Sequence, residues 1–138
     1  MYEAAETATI GADPEAVWEL WGDLDRWPEW NQGIERASAD GKLAPGATIK
    51  VKLRRGGTVS HQVTALEPGR LLVTEARFPG GRQGHEHRVE RRRNGAEVTH
   101  RIYVRGLLWP LLAFMLSRRK MERSVAGFAE RERELLGG

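Results

Sequence analysis

The chain has 138 residues, 40% of them hydrophobic and 30% charged, with no cysteine and a formal net charge of +3. That length suits one domain able to bury a core around a cavity. The missing cysteines exclude a disulfide scaffold, a thiol nucleophile and any thiolate-held metal. The basic balance rests on arginines scattered beside glutamates rather than on a contiguous stripe, so no nucleic-acid partner is expected. The first twenty residues carry acids and neither Lys nor Arg, which gives no sign of a secretory leader. No apolar run approaches the ~18 residues of a membrane span. The expectation is a cytoplasmic protein, one domain over residues 1–138, with no stable membrane anchor.

In chain order, a first strand is followed by Asp13-Pro14, a helix opening in which Asp caps free amides and Pro needs no donor. Ala16, Val17, Leu20, Trp21 and Leu24 then recur at helical spacing. A second short helical turn is predicted from Asp25 to Trp30. Turn dipeptides at Asp40-Gly41, Pro45-Gly46, Gly56-Gly57, Pro68-Gly69, Pro79-Gly80 and Asn94-Gly95 separate about six alternating runs, which predict an antiparallel meander. One helix is predicted from Trp109-Pro110 to about Leu136. It carries a buried stripe of Met121, Val125, Phe128 and Leu135, and its Glu130–Glu134 alternation of acids and bases reads as a solvated face.

The stretch Ala12-Asp13-Pro14-Glu15-Ala16-Val17-Trp18, then Asp25-Arg26-Trp27-Pro28-Glu29-Trp30-Asn31, resembles the opening of the polyketide cyclase/dehydrase and lipid-transport (SRPBCC, START-like) superfamily. Leu66-Glu67-Pro68-Gly69-Arg70-Leu71 and the terminal amphipathic helix extend the likeness over nearly the whole chain. The resemblance implies an α+β helix-grip fold. In it a curved antiparallel sheet of about seven strands wraps a long C-terminal helix around an apolar cavity, with two short helices after the first strand.

Strand parity assigns the cavity wall. The more apolar phases are Val59, His61, Val63, Ala65; Leu72, Thr74, Ala76, Phe78; His85, His87, Val89; and Val98, His100, Ile102, Val104. All four histidines fall on the inward phase. A two-residue Asn94-Gly95 loop pairs Arg93 with Ala96, which sets His87 and His100 as diagonal neighbours about 7–8 Å apart at the backbone. The expected ligand-binding set is Trp30, Val59, His61, Val63, Leu72, Thr74, Ala76, Phe78, His85, His87, His100, Ile102, Phe114, Met121 and Val125. His87 and His100 are the candidate acid–base pair. No inward carboxylate is evident on these strands and no metal-ligand spacing is present, so neither metal nor other cofactor is expected.

Leu107 to Leu116 is apolar on every side and ends at Ser117-Arg118-Arg119-Lys120. It reads as a helix start buried under loops, as a portal beside Gly106, or as a patch for a dimer partner or membrane surface. The portal is carried forward as the expectation. The predicted function is binding of a small hydrophobic or aromatic ligand. A metal-independent cyclase or dehydrase using pocket histidines is the alternative, and a protein-interaction module resembling the co-chaperone branch is the second. A homodimer is allowed.

Overall fold

The computed structural model describes residues 1–137. Strand β1 (Tyr2–Ile10) leads into helix α1 (Pro14–Gly22), a single 3-10 turn (Leu24–Arg26) and helix α2 (Trp27–Trp30). Strands β2 (Ile34–Ala39), β3 (Thr48–Leu53), β4 (Thr58–Glu67), β5 (Leu71–Phe78), β6 (Gly81–Arg92) and β7 (Gly95–Arg105) follow, then helices α3 (Trp109–Met115) and α4 (Arg118–Leu136). The strands form one antiparallel sheet in the order β1-β7-β6-β5-β4-β3-β2. Short turns dictate that meander, and β1 closes it by pairing with the last strand. Helices α1, α2 and α4 cover one face, and α4 packs on β1 and β7. This is the helix-grip arrangement. Among the described residues, no helix is long and apolar enough to cross a membrane.

Four details depart from the sequence reading. Asp13 starts α1 through its carbonyl oxygen, which accepts from the Ala16 and Val17 amides at 3.0 and 3.2 Å, while its side chain makes no cap. The β6–β7 turn is Arg93-Asn94, not Asn94-Gly95: Arg92 pairs with Gly95 and His87 lies directly opposite His100. The reason is steric. Asn94 keeps a negative φ, while Gly95 takes φ +139° and lies so close to Ile10 that a Cβ there would sit 2.2 Å from its carbonyl oxygen.

A bulge between Val63 and Ala65 resets the parity of β4. Leu66 therefore turns toward the core, and Ala65 packs outside against Leu71, Val73 and Tyr103. On that outer face Tyr103 lies across Gly84, where a Cβ would clash with its ring, and its hydroxyl donates to Glu75.

The C-terminal helix is broken, not continuous. Ser117 takes φ +65° and its Oγ accepts from the Lys120 amide, ending α3 and capping α4. The corner lets Leu112 and Ala113 bury against the sheet while α4 keeps its own stripe inward.

Candidate functional site

Between the sheet and helices α2 and α4 lies a cavity of about 250 Å³. Val51 and Leu53 of β3, Val59 of β4, Phe78 of β5, and Trp27, Trp30, Leu116 and Phe128 supply its apolar wall. One side is polar: His61, Thr74, Gln83, His85 and His87 project from β4, β5 and β6. The alternation of β6 places Gln83, His85 and His87 on one face. The His61 and His85 rings are 5.5 Å apart, and His61 Nδ1 meets Thr74 Oγ1 at 3.5 Å.

Burial disfavours the charged imidazole. Desolvation lowers the pKa of His61 to about 4 and, with the neighbouring histidines His61 and His100, that of His85 to about 3. His87 is pushed well below the ordinary value, by burial first and then by His100, His85 and His61. The wall is therefore neutral at pH 7, and neutral imidazole both donates and accepts.

Behind His87 runs a buried chain of polar groups. Its Nδ1 lies 2.7 Å from His100 Nδ1, and His100 Nε2 lies 2.8 Å from Glu132 Oε1. Glu132 Oε2 accepts from Trp21 Nε1 at 2.5 Å. His100 and Glu132 have no exposed surface at all. With Glu132 as a carboxylate and His100 as the neutral ring, the bond pattern sets the protons: a carboxylate only accepts, so His100 donates through Nε2. In neutral His100 the Nδ1 lone pair must then accept, and His87 donates through its own Nδ1. That leaves the unprotonated nitrogen of His87 at Nε2, which has no partner among the described residues and borders the cavity. The assignment follows from the network, as hydrogen placements must. Trp30 adds a second open group: its indole N–H is buried without a partner.

Of the sequence-predicted set, Trp30, Val59, His61, Thr74, Phe78, His85 and His87 line the cavity. Val63, Leu72, Ala76, Ile102, Met121 and Val125 are on the inward side but packed into the core, where α1 and α4 lie against the sheet. His100 sits behind His87 and does not reach the cavity. Phe114 is a correction: it is 80% exposed, because the corner at Ser117 turns that face of α3 outward. Glu132 is the larger omission. It was placed on the solvated face, yet Met121, Val125, Phe128, Glu132 and Leu135 recur at spacings of 4, 3, 4 and 3, so it stands within the buried stripe. Phe128, within the predicted helical stripe, and the inward phase of β3, legible as alternation, also line the cavity. Next to the cavity a more polar cleft of about 360 Å³ lies between Asn31–Gly33 and α4, lined also by Arg123, Arg131 and Glu134. Trp30, Asn31, Gly33, Ser124 and Phe128 border both voids.

A sheet gripping a terminal helix over an imidazole-walled cavity defines a helix-grip domain. The chain belongs to the polyketide cyclase/dehydrase and lipid transport family, whose sequence profile matches residues 1–132. Solved structures agree on the fold. Protein MLL2253 of Mesorhizobium loti superposes with a TM-score of 0.76 at 18% identity, covering 99% of this chain and 97% of that one. A START superfamily protein of Mycobacterium smegmatis gives 0.75 at 11%, covering 99% and 98%. The di-domain ARO/CYC StfQ of the steffimycin biosynthetic pathway gives 0.75 at 12%, covering 98% of this chain and 50% of that one. Among curated proteins no sequence match is found.

Proposed function

We propose that this protein binds a small, mostly apolar ligand carrying oxygen atoms, of one or two rings, between its sheet and α4. The observation that carries the reading is the cavity itself. It joins an apolar wall to three neutral imidazoles and the unpaired Trp30 N–H, groups that an oxygenated ring system would satisfy. The family's description, which spans cyclases and lipid transport, supports it. A cavity with an apolar wall between sheet and helix also favours a ligand over the co-chaperone-like alternative. Organic extracts of the purified protein are expected to contain such a compound, and titration with 2-naphthol should perturb amide signals of β4 to β6. A 2-naphthol titration that leaves those signals unmoved overturns the reading.

A second reading, a metal-independent cyclase or dehydrase, is favoured by the Glu132–His100–His87 chain. His87 Nε2 would take a proton from the carbon next to a ketone, and the C–H electron pair would pass to the carbonyl oxygen as an enolate. The Nδ1 proton of His87 would shift to His100 Nδ1, where the Glu132 carboxylate is its counter-ion. The enolate carbon would then attack a second carbonyl, whose oxygen would recover the proton from His87. His87 is the catalytic residue in this scheme, and His100 and Glu132 are positioning residues. Deuterium uptake by 2-tetralone in heavy water tests it. The native protein should accelerate uptake and His87→Gln should not, while both still bind the ketone by amide shifts. Binding without acceleration leaves a carrier only.

A further inference from the structure

We propose that α3 and the first turn of α4 form a docking surface for an anionic lipid bilayer. Leu107, Leu108, Leu111, Phe114 and Met115 are exposed at 93%, 49%, 56%, 80% and 71%, and the other exposed large hydrophobic residue, Met1, touches the same region through Arg105. A monomer seldom leaves such a patch open to water without a use for it. Leu112 and Ala113 on the opposite side of α3 are buried, so the helix is seated on the sheet and offers one apolar face outward. The Leu108 amide donates to Gly80 O at 2.9 Å and pins the segment to the β5–β6 hairpin. The segment expected to be a portal is thus tied to this hairpin with its apolar face outward.

Charge selects the occupant. Arg105 precedes the patch, and Arg118, Arg119, Lys120 and Arg123 follow it directly. None of these five joins an ion pair among the described residues; Arg118 lies instead over the Tyr2 ring. Three of them occupy the first turn of α4, which holds no acid. Cations there oppose the helix dipole, so the helix itself gains nothing from them. Lipid phosphates would accept them while Leu107, Leu111 and Phe114 enter the acyl boundary. A second copy fits poorly, because a two-fold interface through this patch would bring like charges together. Leu116, at the corner, also lines the cavity. Docking here would thus bring the Leu116 end of the ligand site close to the membrane, and the proposal stands whether or not the ligand is turned over.

Vesicle sedimentation tests the proposal. The protein should pellet with phosphatidylcholine vesicles containing phosphatidylglycerol, not with phosphatidylcholine alone, and high salt should release it. Leu111→Ser with Phe114→Ser, and separately Arg119→Glu with Lys120→Glu, should each reduce the bound fraction about tenfold, with unchanged circular dichroism and no loss of melting temperature. Because the chain has no cysteine, Phe114→Cys carrying an environment-sensitive dye gives an independent readout, a blue shift on anionic vesicles only. Equal binding to both vesicle types, no binding to either, or a dimer that the Leu111/Phe114 variant dissociates would overturn it.

Discussion

Glu132 is a carboxylate held out of water between an indole and an imidazole. Removing it strands two buried donors, Trp21 Nε1 and His100 Nε2, and each stranded group costs about 1–3 kcal/mol. Glu132→Leu should therefore lose about 2–5 kcal/mol, read by denaturant unfolding. Removing Trp21 and His100 as well should recover part of that loss, since both stranded donors go with them while the Nδ1–H of His87 loses its acceptor. A triple variant, Trp21→Phe with His100→Phe and Glu132→Leu, that is no more stable than the single one would show the network is not the cause. The same geometry sets proton positions. Long-range proton–nitrogen spectra should find His87 with its proton on Nδ1 and His100 with its proton on Nε2. In Glu132→Gln the His100 assignment should weaken or invert.

At the scale of elements, the turn between β6 and β7 makes a sharper prediction than its sequence. Gly95→Ala places a methyl against Ile10 O at a φ that side chains rarely adopt, and should cost more than about 2 kcal/mol. Asn94→Ala, at negative φ, should change the unfolding midpoint little. A type I′ turn at Asn94-Gly95 would make both substitutions harmful. This is also where the limits of sequence reading are visible. Alternation made β5, β6 and β7 legible residue by residue, because a half-buried strand writes its two faces into period 2. The turn slipped by one residue because β1 approaches Gly95, a contact between residues 85 apart in the chain. Ala65 changed sides because a bulge adds a residue that no pattern of polarity announces. Glu132 was hidden differently: its spacing was legible, but its partners lie 32 and 111 residues away, and without them a glutamate reads as surface.

For the molecule as a whole, the histidine wall makes stability depend on pH. The folded pKa of His61 is lowered to about 4 and that of His85 to about 3, with His87 depressed as well, against about 6.5 in an unfolded chain. The unfolded state therefore binds more protons below pH 6.5. Full stability is present above that pH and is lost as pH falls from about 6.5 toward 4. Each such imidazole contributes up to about 1.4 kcal/mol per pH unit in that window. Denaturant midpoints should fall steeply between pH 6.5 and 4.5, and His61→Gln with His85→Gln should flatten the slope. Equal midpoints for the native protein at pH 7.5 and 5 would contradict the burial.

Because Trp30 is the largest of the five residues shared by the inner cavity and the outer cleft, its indole is a main part of the partition that limits how long a guest can be. Taking it away would join two chambers into one passage running out toward Arg123 and Arg131. Trp30→Ala, at a stability loss of about 3–5 kcal/mol, should shift preference from naphthalene-sized toward anthracene-sized compounds, while also removing an indole packed 5.2 Å from the His87 ring. Size selection and chemical recognition therefore meet at this residue. A relative could change the length of its guest at one position in α2 while leaving the strands that recognise its oxygen atoms as they are.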